Sequence, residues 1–226
     1  MKPRPRFGGI DPQAFAFFRR LARNNHKPWF DKNRPVYDEY VAGALKALFE
    51  TLVPEVLKLD PNFEISGKTG RNFSRINRDI RFARDKSPYR RNLYLYFGPA
   101  ASESDSRLYV GLSADAVTCG FATYGGRDSD LERAKARRAA KPATVDNLLR
   151  RLARRYEIYW HGTERGEWKK YSGAPKTDKD WKRCRAFVVR RVFPPSRREL
   201  RSPAFARTAA RIFHDLFPLY SFITSS

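Results

Sequence analysis

Residues 93–124 read LYLYFGPAASESDSRLYVGLSADAVTCGFATY, and this stretch decides the fold class. Short segments rich in aromatic and β-branched residues alternate in it with polar, glycine-bearing breaks, a pattern typical of β-strands. The expected strands are Leu93–Phe97, Leu108–Leu112 and Val117–Tyr124, and the expected turns are Pro99–Arg107 and Gly125-Gly126. Because the connections are short, the strands are predicted to pair mostly antiparallel.

Further strands are predicted on both sides of this stretch, at Phe63–Ile65, Asn72–Phe82 and Ala186–Val192. Helices are predicted before it. Asp11 followed by Pro12 indicates a helix start, and a second helix is expected to open at Pro35, with Pro54 as a kink or an early end. Between the two helices, Asn24 to Pro28 is expected to end the first helix.

Helices are predicted after the strands as well. Residues 128–141 are expected to form a charged helix, and Thr144 is expected to cap a helix that exposes Arg150, Arg151, Arg154 and Arg155. Tyr156 to Trp181 is expected to be rich in turns, and Ser202-Pro203 is expected to start a terminal helix. The predicted class is α+β, with a mostly antiparallel central sheet from residues 63–124 and 186–192 flanked by N-terminal and C-terminal helices.

Composition sets limits on the kind of protein. The 226 residues include 46 Lys and Arg against 24 Asp and Glu, a formal charge of +22, which favours a polyanionic partner. With 41% hydrophobic residues the chain can build a core, and we expect a basic tail over residues 1–9 and a single domain over residues 10–226. No apolar stretch is long enough for a membrane span, so a cytoplasmic protein without membrane contact is expected.

Residues that could hold a metal or a nucleotide are not grouped in the sequence. Cys119 and Cys184 stand alone and are expected to be reduced and buried, and His161 and His214 lack partners at ligand spacing. Gly67-Lys68-Thr69-Gly70 does not have the glycine spacing of a phosphate-binding loop. We therefore predict neither a metal nor a cofactor.

The densest polar segment runs from Arg71 to Arg91 and contains eight Lys or Arg residues and two Asp residues. If its centre is an extended strand, side chains alternate between two faces, so that Ile76, Ile80 and Phe82 point to the core. The other face would present guanidinium groups, which match phosphate or carboxylate oxygens. The predicted anion-binding residues are Arg75, Asn77, Arg78, Arg81, Arg84, Lys86 and Arg90.

This segment also carries a resemblance to a known family. Arg75-Ile-Asn-Arg-Asp-Ile-Arg-Phe-Ala-Arg-Asp-Lys-Ser-Pro-Tyr-Arg90 closely resembles the signature of the bacterial domain of unknown function 2461 family. The resemblance extends to Asn24–Phe30, Tyr109–Gly111 and Cys119–Phe121, and it is strongest over residues 10–125. From Ser202 onward the chain departs from the usual close of the family. The resemblance implies an intact family domain and carries no activity with it.

Alternatives to anion binding remain open for the same residues. Asp79 and Asp85 could pair with arginines and only fix a turn, in which Asp85 accepts backbone hydrogen bonds. An enzyme could instead use His26, Asp79 or Tyr89 to move a proton on a phosphorylated substrate, although a carboxylate beside arginine has a pKa too low for a general base.

A second basic region, Arg165 to Arg211, contains fifteen Lys or Arg residues and four acidic ones. Its Trp168 and Trp181 could stack on the bases of a single strand, or they could fill gaps in the core. The leading hypothesis is therefore a protein that binds a phosphate-bearing or polyanionic partner. Nucleic acid is favoured, and a small phosphorylated ligand is the alternative; the sequence does not indicate the oligomeric state.

Overall fold

The computed structural model describes residues 6–99, 105–126, 129–164 and 166–225. The predicted α+β class is confirmed, because a six-stranded antiparallel sheet is combined with helices at both ends of the chain. The strands are β1 (Asn92–Phe97), β2 (Arg107–Ser113), β3 (Val117–Tyr124), β4 (Glu157–Glu164), β5 (Glu167–Ser172) and β6 (Cys184–Phe193), and they are ordered β1-β2-β3-β6-β4-β5. The helices are α1 (Pro12–Arg23), α2 (Lys27–Val36), α3 (Gly43–Leu57), α4 (Asp130–Ala140), α5 (Pro142–Leu152), α6 (Asp178–Arg183) and α7 (Ala204–Thr224).

The chain divides into two compact units. The first contains residues 1–97, 110–118 and 193–210, and the second contains residues 98–109, 119–192 and 211–226. The described part of the first unit has an aromatic core in which Phe17 contacts Phe30 and Tyr37, at ring-centroid distances of 6.1 and 5.7 Å. The second unit buries Ile158, Trp160 and Phe187 of the sheet, together with Leu131 and Ala134 of α4 and Val145, Leu149 and Leu152 of α5.

The start of α1 is as predicted, since the Asp11 side chain accepts a hydrogen bond from the Gln13 amide at 2.8 Å. The prediction for the second helix was wrong. This helix begins at Lys27, where the His26 ring accepts the Trp29 amide and Pro28 occupies the first turn, where a missing N–H costs nothing. Pro35 lies inside α2, and α3 continues past Pro54 to Leu57.

A π-helical turn, Tyr37–Ala42, connects α2 to α3, so the chain is helical from Lys27 to Leu57. In this turn the Gly43 amide reaches the Asp38 carbonyl five residues back instead of four. A Cβ at Gly43 would lie 2.9 Å from that carbonyl oxygen, so the turn has room only for glycine. Single π-turns inside α-helices occur frequently at functional sites.

Two of the predicted strands do not form. Residues 63–65 contain no strand, and Asn72–Phe82 makes only isolated bridges: Phe73 pairs with Thr69 and with Leu95, and Asn77 pairs with Tyr89. The hydrogen bonds of residues 72–74 nevertheless follow the outer edge of β1, where Ser74 donates to the Tyr94 carbonyl and Tyr96 donates to the Asn72 carbonyl. Farther along, the segment leaves the sheet, and Phe82, predicted to face the core, is 95% exposed.

The expectation of turns between Tyr156 and Trp181 was also wrong, because β4 and β5 form an antiparallel hairpin there. Lys141, rather than Thr144, precedes the first residue of α5, whose Pro142 takes the position that a proline favours. Arg150, Arg151, Arg154 and Arg155 are exposed, as predicted, and both cysteines are buried and free. The charged helix is confirmed as α4. Residue 128 of its predicted range lies outside the described residues, and so do residues 100–104 of the turn predicted at Pro99–Arg107.

No described helix has the length and apolar character needed to cross a membrane. The described residues also contain no group of three or more His, Cys, Asp or Glu side chains placed to hold a metal ion.

Candidate anion-binding site

A cleft of about 520 Å³ opens in the first unit, between the π-turn and the start of the arginine-rich segment. Its polar lining comprises Tyr37, Lys46, Thr69, Ser74, Arg75 and Asn77. The remaining lining residues are Ala42, Gly67, Phe73, Ile76 and Leu93, which give it an apolar floor. We call this the Lys46–Arg75 cleft, after the two cationic residues that line it.

The walls of the cleft are held by a buried asparagine. The Asn72 side chain accepts the Gly67 amide at 2.9 Å and donates to the carbonyls of Glu64 and Tyr96 at 2.7 and 3.1 Å. Gly67 and Gly70 both have positive φ, of 68° and 87°, which residues with a side chain rarely adopt. These contacts fix the loop that carries Thr69 against the edge of β1.

The charge of the cleft is positive. Lys46 and Arg75 are exposed, and neither makes an ion pair or a side-chain hydrogen bond with any residue that the structure describes. Among the described residues no carboxylate lines the cleft, so an entering anion would meet two cations with free donors. Tyr37 is half-buried, and burial raises the pKa of its hydroxyl to about 12, so at neutral pH it is a neutral hydrogen-bonding group.

Of the seven predicted anion-binding residues, the structure places only Arg75 and Asn77 in this cleft. The others belong to what we call the arginine loop, residues 77–89, or lie just after it. Arg78 pairs with Asp85 at 2.7 Å and donates to the Ser87 carbonyl at 3.0 Å. Arg78 therefore fixes the loop, as does Lys86, whose ammonium donates to the Ile80 carbonyl at 3.0 Å.

The other cations around the loop are more exposed. Arg81 pairs with Asp79 at 2.7 Å, and both side chains are open to solvent. Arg84 and Arg90 are exposed too. The predicted cradle is thus divided between the cleft and the arginine loop.

The two acidic residues of the loop have depressed pKa values. The Arg81 guanidinium lowers the pKa of Asp79, and hydrogen bonds from Ser87, aided by Arg78, lower that of Asp85 further. The expected hydrogen bond from a backbone amide to Asp85 is present, from Ser87 at 2.9 Å. Both groups are carboxylates at neutral pH and are poor proton acceptors there.

The other residues considered for proton transfer have structural contacts. His26 caps α2, as described above. The Tyr89 ring is buried and stacks on Phe30 with centroids 4.1 Å apart, while the Asn25 side chain bonds both backbone groups of Tyr89, at 3.0 Å to the amide and 2.9 Å to the carbonyl. The asparagine motif, Asn24–Phe30, and the arginine segment, Arg71–Arg91, are thus joined by these contacts.

The two stacking candidates of the second basic region differ in exposure. Trp181 is buried and packs near Phe187, where a base could not reach it in this conformation. Trp168 is 58% exposed on β5, and its ring stacks on His161 of β4 with centroids 5.4 Å apart.

Sequence reasoning missed Lys46, Tyr37 and Asn72. Lys46 is one cation among many, and Tyr37 fits the apolar stripe of its helix. The one sequence feature that could have indicated Asn72 is its place, since it is an amide that closely follows Gly67 and Gly70 and precedes an apolar strand.

Comparison with protein families identifies one family. No curated protein matches the chain. The family model described as "Conserved hypothetical protein (DUF2461)" matches residues 13–222, which include the asparagine motif, the arginine segment and most of α7. The resemblance noted in the sequence is strongest over residues 10–125, and the match of the family model continues well beyond that range and past Ser202. Because it spans almost the whole chain, the protein belongs to the DUF2461 family.

Proposed function

We propose that this protein binds a phosphate-bearing ligand in the Lys46–Arg75 cleft, and that this ligand is a nucleic acid. One observation carries the proposal: two cations without described partners line the same concave surface, and no carboxylate lines it with them. Phosphate oxygens accept hydrogen bonds from both guanidinium and ammonium groups. The hydroxyls of Thr69 and Ser74 and the amide of Asn77 add further polar groups for oxygen atoms.

The net charge supports a nucleic acid over a small metabolite. A formal charge of +22 attracts a polyanion at long range and raises its association rate. A small phosphorylated ligand would need only the cleft, whereas a strand of nucleic acid would also meet the exposed cations outside it. Its phosphates would release counterions on binding, so affinity would fall as salt rises.

An enzyme on a phosphorylated substrate is the weaker alternative. No imidazole or carboxylate of the described part of the chain lines the cleft, and neither His26 nor Asp79 is among its lining residues. Tyr37 is the one titratable acid in the lining, and its raised pKa keeps it from acting as a base at neutral pH. No contact in the cleft favours a proton-transfer mechanism.

The test is a fluorescence-anisotropy titration of a short labelled single-stranded oligonucleotide at several salt concentrations, with the Lys46→Gln/Arg75→Gln variant beside the parent. If both residues hold phosphates, the double variant binds more weakly. The slope of log K against log salt then flattens by about 1.4, because each single-strand phosphate contributes about −0.7.

A matched control separates the cleft from net charge. Arg151→Gln/Arg154→Gln also removes two positive charges, but from exposed positions of the second unit. We expect this control to keep the parent's slope nearly unchanged. Equal losses in the two double variants would mean that the whole basic surface binds and the cleft does not. Displacement of a weakly bound oligonucleotide by pyrophosphate at low concentration would indicate the small phosphorylated ligand instead.

A further inference from the structure

Phe82 is the large apolar side chain that the described structure exposes most. It is 95% exposed, against 40% to 58% for Ile65, Val192, Tyr124 and Trp168. Isolated apolar residues are common on protein surfaces and need no explanation by themselves. Phe82 differs because of the loop that carries it and the charges around it.

The arginine loop is held by its own polar contacts. The bridge between Asn77 and Tyr89 closes its base, where the Arg78 amide also donates to the Pro88 carbonyl at 2.8 Å. Inside the loop, the Arg78–Asp85 pair and the Lys86 hydrogen bond to Ile80 described above connect its two sides. The loop therefore has a set conformation that does not depend on burying Phe82, and it presents the ring to solvent already ordered.

The surroundings of Phe82 are cationic. The Arg81 guanidinium lies 6.0 Å from the centre of the Phe82 ring, within the range of a cation–π contact, and Arg84 and Lys86 are exposed nearby in the chain. An exposed aromatic ring with a guanidinium beside it and further cations close in sequence matches an unpaired base and its neighbouring phosphates. Anchoring on a membrane would call for more apolar area than the one ring that this loop exposes.

The loop also begins at the cleft. Asn77 lines the Lys46–Arg75 cleft, and Phe82 follows five residues later, so their Cα atoms are at most about 18 Å apart. We propose that Phe82 stacks on an unpaired base of a single-stranded nucleic acid whose phosphate occupies the Lys46–Arg75 cleft. This inference rests on the proposed function. It adds that the ligand has a base with an accessible face, which lies outside the cleft.

The first measurement compares Phe82→Ala with the parent in binding a labelled single-stranded oligonucleotide and an abasic oligonucleotide of the same length. Loss of one stack is expected to weaken binding of the base-containing strand by about 5- to 150-fold. Binding of the abasic strand should not change, since its phosphates still reach the cleft. Phe82→Trp should retain affinity, and its added fluorescence should be quenched when the strand binds.

Trp168→Ala is the matched control, because it removes the other exposed stacking candidate from the second unit. If Trp168→Ala loses affinity and Phe82→Ala does not, the inference is wrong and the hairpin is the stacking surface. Thermal melting of each variant checks that it folds. Since the Phe82 ring is almost fully exposed, we expect the melting temperature of Phe82→Ala to equal that of the parent.

The outcomes also separate this inference from the proposed function. If Lys46→Gln/Arg75→Gln weakens binding while Phe82→Ala leaves both strands unaffected, the cleft binds phosphate and the stacking inference alone fails. If the parent binds neither strand, both proposals fail. Sedimentation with vesicles of phosphatidylcholine and phosphatidylserine tests the membrane: Phe82-dependent binding to vesicles, without an effect on the oligonucleotide, would also overturn the inference.

Discussion

Asn25→Ala tests whether the asparagine motif holds the end of the arginine loop. The Asn25 amide makes two hydrogen bonds to the backbone of Tyr89, one as donor and one as acceptor, as a neighbouring strand would. A typical hydrogen bond contributes about 0.5–1.5 kcal/mol net, and a buried group left without a partner costs about 1–3 kcal/mol. The substitution removes the partner of both backbone groups of Tyr89, and the loss is costly because Tyr89 is buried.

Two such bonds contribute about 1–3 kcal/mol, and two buried groups without partners cost about 2–6 kcal/mol. The expected loss of unfolding free energy for Asn25→Ala is therefore about 2–3 kcal/mol, where the two ranges overlap. The measurement is urea denaturation followed by circular dichroism, comparing midpoints at an unchanged slope. Asn24→Ala is the matched control, since this neighbour has the same side chain but a single exposed hydrogen bond, to the Arg20 carbonyl at 2.9 Å. We expect the control to lose about 0.5 kcal/mol. Equal midpoints for the two variants would refute the reasoning.

Three more predictions test local features. Asp79→Asn should leave the urea midpoint unchanged, because the ion pair of Asp79 is exposed and screened by solvent. Asp85→Asn should lower stability at neutral pH, and the difference from the parent should shrink as pH falls below 3.8: the folded-state pKa of Asp85 is depressed, so its stabilisation is lost on protonation. Gly120→Ala should cost about 1–3 kcal/mol in the same assay, because its Cβ would lie 2.2 Å from the Val189 carbonyl oxygen, whereas Gly126→Ala, with open space around it, should not.

Features set by neighbouring residues in sequence were predictable. The start of α1 at Pro12 depends on one side chain that caps its own helix, and the three segments around β1, β2 and β3 carry their strand pattern locally. The class of the fold follows from such segments. Their positions in the sheet do not, because β6 pairs between β3 and β4 from far along the chain.

The segment from Arg75 to Phe82 shows the limit of this reasoning. From Arg75 to Arg81 its residues do alternate between more and less exposed positions, as a strand would. A strand also needs a partner, however, and beyond residue 74 the arginine segment finds only the bridge to Tyr89. A periodic pattern records which side chains avoid water, and it contains no information about a neighbour 12 residues away.

The candidate site was only partly predictable for the same reason. Arg75 and Asn77 could be proposed from their own segment, but Lys46 comes from a helix about thirty residues earlier. Nothing in the helix pattern distinguishes Lys46 from other exposed cations, because its role depends on where the π-turn and the Gly67–Phe73 loop place it. The fold has to be known before these residues can be grouped.

The covered edge of β1 has a consequence for handling the protein. An open strand edge is a template for pairing with other chains, and at this edge residues 72–74 already occupy the backbone groups of Tyr94 and Tyr96. The far edge, β5, is protected differently, by the exposed charges of Lys169 and Lys170. Substitution of Asn72 should therefore expose the backbone groups of β1, an uncharged edge strand that carries Tyr94 and Tyr96, while the rest of the chain stays folded. They are expected to be lost from solution as β-rich assemblies, at a rate that rises with protein concentration.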